Sequence, residues 1–255
     1  LIRASLELGE QASSLHVLFP SDGEAEELRD AGMMLRRGVQ FHWRNNGYEC
    51  FDDFLACLSH HKRKKIRQER RKVADAGVRF QRLVGGEIQE KDWAFFARCY
   101  NGTYRDHHST PYLNLAFFER LGQTMPENML LVLATMDNQP VASALNIFSA
   151  EALYGRYWGS VGYLPNLHFE ACYYQAIEFC IERRIPLFEG GAQGEHKLAR
   201  GFAPVETRSA HWLKHPAFAD AIEKFLQSES AGVERYVDEL NDRAPFKKAN
   251  EVNVS

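Results

Sequence analysis

The residues best suited to chemistry lie between Pro186 and Phe202, in the run Pro-Leu-Phe-Glu-Gly-Gly-Ala-Gln-Gly-Glu-His-Lys-Leu-Ala-Arg-Gly-Phe. A short apolar stretch ends at one carboxylate, Glu189, and glycines follow at 190, 191 and 194. Lys197 and Arg200 come next, and the segment closes on Gly201-Phe202. Ligands in mixed α/β sheets gather beyond strand ends, where glycine lets main chain approach closely. An acid in that place serves as a general base or holds an amine; its structural alternative is a buried carboxylate paired with Lys197 or Arg200. The two cations suit a phosphate or the oxyanion of an acyl transfer.

Two other clusters carry charge. His60-His-Lys-Arg-Lys-Lys-Ile-Arg-Gln-Glu-Arg-Arg-Lys72 holds eight Lys/Arg between 62 and 72 against one acid, Glu69. At helical spacing these side chains surround the helix instead of forming one stripe. They suit a polyanion, either RNA phosphates or a charged cell-wall precursor, or else a solvated helix flank. No aromatic residue interleaves the run, so base stacking has no support. Farther on, Glu170 shares a helix face with Tyr174, Ile177 and Ile181, whereas Gln175, Glu178 and Glu182 are expected on the solvent face. A carboxylate on the inner face of a first turn is either stabilised by free N–H groups or open to a cleft.

Other chemistries lack their parts. The ten histidines include no H-E-x-x-H motif and no Cys/His set with zinc spacing, so no metal site is expected. His107-His108 reads as a loop and His168 as a surface position. No G-x-S-x-G elbow and no Walker loop occur, which removes the nucleophilic hydrolase and nucleotide-phosphatase readings.

The elements that must position these residues follow from periodicity and punctuation. Residues 15–20 read as a strand stopped by proline, and Asp22-Gly-Glu-Ala-Glu-Glu opens a helix whose acids suit its dipole. Residues 33–44 form a strand or hairpin before an Asn45-Asn-Gly turn. One long helix is expected over 51–76, with Phe51, Phe54, Leu55 and Leu58 on one face and Gly77 as its stop. A strand from Val78, helices near 90–105 and 114–123, and a three-strand meander from Met129 to Trp158 come next. Pro165-Asn166 caps a helix to about Arg184, with Asn166 as its N-cap. A strand over Pro186–Phe188, another over Val205–Leu213, and an amphipathic helix over 216–240 complete the chain. The order predicts a mixed α/β fold around a central sheet.

Composition bounds the rest. The 255 residues suffice for one large or two modest domains, and 45% apolar with 25% charged residues is ordinary for a globular chain. Five cysteines without a C-x-x-C pair point to reduced thiols and a cytoplasmic setting. No apolar run approaches the length of a membrane span, and no secretory signal opens the sequence. The opening Leu1-Ile-Arg-Ala-Ser-Leu-Glu-Leu reads as the middle or end of a helix, so a longer protein upstream is expected.

Four stretches then fall in a telling order across residues 40–213. They are Phe51-Asp-Asp-Phe-Leu-Ala-Cys-Leu-Ser with Lys62-Arg-Lys-Lys-Ile-Arg and Gly77-Val-Arg-Phe; Thr103-Tyr104 with Pro111-Tyr112-Leu113; Tyr154-Gly-Arg-Tyr-Trp-Gly159; and Phe188-Glu-Gly-Gly with Arg200-Gly-Phe202. Together they resemble the FemAB-like branch of the GNAT acyltransferase superfamily, in particular its bacterial peptidoglycan biosynthesis or recognition group. The resemblance implies a GNAT-like fold, with residues 1–48 ending a first repeat and 49–255 forming a second. It implies transfer of an acyl or aminoacyl group to an amine acceptor, with aminoacyl-tRNA or acyl-CoA as donor. Glu189, Lys197 and Arg200 become its catalytic positions. Tyr104, Arg156, Tyr157, Trp158, Glu170, Gly190, Gly191, Gln193 and Phe202 become substrate contacts, and Lys62, Arg63, Lys65 and Arg67 contacts for a polyanion such as tRNA. The sequence departs from the pattern in places: Glu189 stands where aspartate is usual, and Ala203 follows Gly-Phe where glycine is usual. In Arg156-Tyr-Trp-Gly-Ser-Val-Gly162 the second glycine falls one position late for a pyrophosphate loop. The rival readings are an acetyl-CoA-dependent N-acetyltransferase of small molecules and a non-catalytic binder of cell-wall precursor or RNA.

Overall fold

The structure, a computed structural model, describes residues 1–192, 194–242 and 245–246. In chain order its elements are α1 (Ile2–Gly9), β1 (Ser14–Leu18), α2 (Asp22–Asp30), β2 (Met34–Arg44), α3 (Phe51–Cys57), α4 (His60–Asp75) and β3 (Arg79–Val84). Then come α5 (Glu90–Asp106), α6 (Leu115–Thr124), β4 (Met129–Met136), β5 (Gln139–Phe148) and β6 (Ala152–Ser160). A helix follows in three parts, α7 (Leu167–Phe169), a π turn (Glu170–Tyr174) and α8 (Gln175–Arg183). The last elements are β7 (Leu187–Glu189), a 3₁₀ turn (Glu195–Arg200), β8 (Ala203–Leu213) and α9 (Pro216–Asp242).

These elements form two compact units that do not follow chain order. The smaller comprises Leu1–Phe41, Ala192–Leu198 and Ala203–Ala244; the larger comprises His42–Gly191, Ala199–Phe202 and Pro245–Ser255. In the smaller unit β1 runs antiparallel to β8, from Ser14 opposite Leu213 to Leu18 opposite Ser209. Leu28, Met33 and Ala210 form its core, with Leu6, Leu15, Val17 and Trp212 packed around them. Ser21 starts α2 through a capping box, its amide donating to Glu24 Oε2 at 2.8 Å.

In the larger unit the strands lie in the order β7-β6-β5-β4-β3, with residues 42–44 of β2 paired outside β7. Every pair is antiparallel except β6 with β7, because the chain between them crosses over through α7 and α8. Strand β4 reads Met-Leu-Leu-Val-Leu-Ala, apolar without alternation, and both its faces are covered. Met129 and Leu131 face Trp93, Phe96, Tyr100 and Phe118 of α5 and α6. Ala134, on the other face, meets Val73 of α4 and Leu167 of α7.

Two expectations change. The helix expected over 51–76 is two helices: Leu58 turns extended, is buried, and forms an isolated bridge with Phe246. The Ser59 amide donates to the Pro245 carbonyl at 2.9 Å, so a distant segment claims the main chain that a continuous helix would use. Of the strand and hairpin alternatives for residues 33–44, the structure has the strand, Met34–Arg44. Gln175, expected on the solvent face, is buried. The π turn just before it adds a residue to the helical repeat and rotates Gln175 inward, where its Nε2 donates to Glu170 at 2.8 Å. Asn166 does stand at the N-cap, but in the left-handed region at φ 68° and without a side-chain cap bond.

Candidate active site

Strand β7 lasts only three residues, since glycines follow Glu189 at once. Within it Phe188 is buried against Phe202, with ring centroids 5.2 Å apart. Glu189 lies opposite His42 on one side and Tyr154 on the other. Among the described residues, β6 and β7 pair only from Ala152/Leu187 to Tyr154/Glu189, whereas β6 runs on to Ser160. The two strands therefore part at Glu189 and leave main chain of β6 open on that side.

A bulge shapes the same place. On β5, Leu145 pairs with Tyr157 and Asn146 with Gly155, so Arg156 is the extra residue and is exposed. Burial raises the Glu189 carboxyl above the ordinary carboxylate value, and the Arg156 charge offsets part of that rise. Glu189 is half-buried, which leaves it reachable as well as readier to accept a proton. His42 opposite it is 8% exposed and is held neutral, its pKa pushed down to about 4 by burial and by Arg44. Beneath the bulge Asn146 is 2% exposed and its Nδ2 has no hydrogen-bond partner in the structure. Its Oδ1 lies 3.8 Å from the point where a Cβ on Gly155 would sit. An orphaned donor of this kind is costly to bury and is suited to a ligand's carbonyl.

Tyr157 extends the site towards α5. Its ring meets Tyr100 at 5.0 Å, Tyr100 meets Tyr104 at 4.7 Å, and Tyr104 meets Tyr112 at 5.6 Å. Burial and then the neighbouring hydroxyls push the Tyr104 and Tyr157 phenols up, so both stay protonated donors. Helix α5 reaches β6 because Gly159 presents no side chain: a Cβ there would lie 2.3 Å from the Cys99 carbonyl oxygen. Thr103 Oγ1 then donates to the Trp158 carbonyl at 2.9 Å. Trp158 itself points to the opposite face from Tyr157 and packs by His168, with ring centroids 5.1 Å apart.

The remaining expected site residues lie elsewhere. Arg200 is 2% exposed, donates from Nη2 to both Glu69 oxygens at 2.8 and 2.9 Å, and stacks 3.4 Å over the Phe169 ring. The Tyr174 hydroxyl donates to the same carboxylate. Arg200 is thus not an open cation: Glu69, the one acid of the basic run, already neutralises it. Glu170 is likewise saturated, by Arg70 at 3.0–3.2 Å and by Gln175, although it lines a recess of about 410 Å³ with Val73, Val78 and Phe80. Phe202 is core, against Tyr173 and Phe188. Gly191 adopts φ +79°, a conformation glycine takes at little cost. Lys197 belongs to the smaller unit, where it is buried with its ammonium 5.7 Å from the Phe41 ring centroid. Gln193 lies outside the described residues.

On α4 the basic side chains surround all of the helix except one inward face. Ile66, Glu69 and Val73 turn inward. His60, Arg63, Lys64, Arg67, Gln68 and Arg71 line an outer groove of about 400 Å³, which includes Arg63 and Arg67 but neither Lys62 nor Lys65. The sequence pointed to Glu189, Arg156, Tyr157 and Tyr104, which the larger unit gathers on β6, β7 and α5. It missed His42 and Asn146, whose only signal was a polar residue within an otherwise apolar strand.

The family model for FemAB-like proteins, described as peptidoglycan biosynthesis/recognition, matches residues 2–248. Among solved structures, FemX shares the fold with a TM-score of 0.61 at 12% identity, over 87% of this chain and 79% of its own. L-PGS from Bacillus licheniformis gives 0.61 at 10% identity, over 88% and 77%. A conserved protein of unknown function from Bacteroides thetaiotaomicron VPI-5482 gives 0.56 at 12%, over 84% and 74%. No curated protein matches the sequence. At these identities the structural likeness extends to the fold alone, a mixed α/β architecture. Among the described residues no helix is long and apolar enough to cross a membrane, and all five cysteines are free thiols.

Proposed function

The chain belongs to the FemAB-like family, and on that premise we propose that it transfers an acyl or aminoacyl group to the amine of a peptidoglycan-precursor-related acceptor. Glu189 is the base. The acceptor's neutral nitrogen attacks the acyl carbonyl carbon, its proton passes to the Glu189 carboxylate, and the C–N bond forms as the acyl bond to the carrier breaks. Arg156 and the protonated Tyr104 and Tyr157 hydroxyls stabilise the oxyanion, and the proton taken up by Glu189 then passes to the departing carrier atom, which restores the carboxylate. Transfer proceeds in a ternary complex, without a covalent enzyme intermediate. The buried cysteines support this: burial pushes the Cys99 thiol up to about 12 and the Cys180 thiol higher still, which makes poor nucleophiles.

One observation carries the proposal: a half-buried carboxyl with a raised pKa at the point where two parallel strands separate. The basic groove of α4 favours a donor with a polyanionic carrier, such as aminoacyl-tRNA. The two-repeat organisation, with a boundary near residue 48, remains part of this proposal.

The test is transfer from aminoacyl-tRNA and acyl-CoA donors to amine-bearing murein precursors, with wild type and Glu189→Ala. The variant should lose transfer and keep its melting temperature, because Glu189 is only half-buried. Transfer should also rise with pH through the raised carboxyl value. Full activity in Glu189→Ala removes this residue from the mechanism.

A further inference from the structure

The smaller unit holds a polar cluster that the reaction proposed above leaves unused. His16 of β1 and His211 of β8 stand directly opposite in the antiparallel ladder, so both rings leave the same face of the sheet. Their Nδ1 atoms lie 2.8 Å apart, with ring centroids 5.0 Å apart. The outer nitrogens are tied as well: His16 Nε2 bonds Ser14 Oγ at 3.0 Å, and His211 Nε2 bonds Ser209 Oγ at 2.8 Å. The two histidines are 195 residues apart in the chain, so no motif or spacing announces them.

Two inner lone pairs this close repel unless something positive lies between them. A proton serves when one ring carries Nδ1–H and donates to the other. A metal ion serves when both rings carry their hydrogen on Nε2, since each serine hydroxyl can accept as readily as donate. Ligating histidine has this arrangement, one nitrogen on the metal and the other held by an oxygen. The local charge fits too. Burial first, then His16 and Arg36, hold the His211 pKa below its ordinary value and keep the ring in the neutral form that ligates. Arg36 is itself neutralised by Glu229 of α9, through Nε at 2.8 Å and Nη2 at 2.7 Å.

The separation selects the ion. Two metal–nitrogen bonds of about 2.0 Å that meet at about 90° set their nitrogens about 2.8 Å apart, whereas a tetrahedral angle needs about 3.3 Å. Square and tetragonal nitrogen sets suit copper and nickel. His16 is exposed on an edge strand, so its ring has room to tilt until both lone pairs aim at one point. We propose that His16 and His211 bind a divalent copper or nickel ion, with water completing its coordination, and that the ion clasps β1 to β8. Binding needs nothing from the transferase reading.

Isothermal titration of the full chain with Ni²⁺ tests this. Saturable binding is expected, at least tenfold weaker in His16→Gln and in His211→Gln, and weaker as pH falls below about 6.5, where imidazole takes up protons. His16 is exposed, so its variant should fold, as circular dichroism would verify. Hydrogen exchange locates the ion: Ni²⁺ should slow the amides of Ser14–Leu18 in wild type and leave them unchanged in His16→Gln. The double variants His60→Gln/His61→Gln and His107→Gln/His108→Gln should bind as wild type does, and Mg²⁺ should not compete. Absence of saturable binding, unchanged affinity in the His16 and His211 variants, loss in either double variant instead, β1 amides indifferent to Ni²⁺, or competition by Mg²⁺ would each overturn the proposal.

Discussion

Replacing Glu69 by alanine would strand two buried groups at once. The Arg200 and Glu69 side chains are 3% and 8% exposed, and the Tyr174 hydroxyl shares the same carboxylate. Removing one partner of such a pair leaves an uncompensated charge in a poorly hydrated place, at a cost of about 3–5 kcal/mol. In a chain of this size each kcal/mol moves the melting temperature by roughly 2–4 °C, so a fall of about 6–20 °C is expected. Replacing both partners with hydrocarbon, Glu69→Leu with Arg200→Met, removes both charges together and should cost far less than either single change. Urea unfolding of the wild type, the two single variants and the double variant closes a double-mutant cycle, with a coupling above about 2 kcal/mol expected. The same double variant, if stable, should retain acyl transfer, because Arg200 is buried and engaged by Glu69. Additive single effects, or a Glu69→Ala variant as stable as wild type, would refute the buried-pair argument. A well-folded double variant without transfer would return Arg200 to the chemistry.

Two further outcomes follow from the same geometry. Gly159→Ala would set a Cβ 2.3 Å from the Cys99 carbonyl oxygen, so α5 must lift from β6, with an expected loss of about 2–3 kcal/mol; an unchanged urea midpoint would contradict this. His42 stays neutral in the folded protein down to about pH 4, whereas its unfolded counterpart takes a proton near pH 6.5. The unfolded state thus binds more protons between these values, and stability should fall as pH drops through that window, by at most about 3 kcal/mol from this residue. His42→Gln should flatten the slope there, and an equally steep profile would show that other groups set it.

The larger unit was readable in outline because its elements are encoded locally. The unbroken apolar run of β4 and the apolar face shared by Glu170, Tyr174, Ile177 and Ile181 each announce their own burial. Periodicity reports that a residue is buried, not what it will meet. Nothing local to Leu58 reveals that Phe246 will pair with it and break a helix. Nothing in the basic run tells that Glu69 will turn inward to meet Arg200.

At the candidate site the same division holds. Residue type at a strand end was enough to single out Glu189, since a carboxylate followed by glycine has few structural uses. Its raised pKa, the bulge that turns out Arg156, and the placing of His42 and Asn146 come from strand register. Register is set by pairing between segments far apart in the chain, and one residue of slip would send every side chain to the other face. Local chemistry therefore chose the acid, and long-range pairing chose its company.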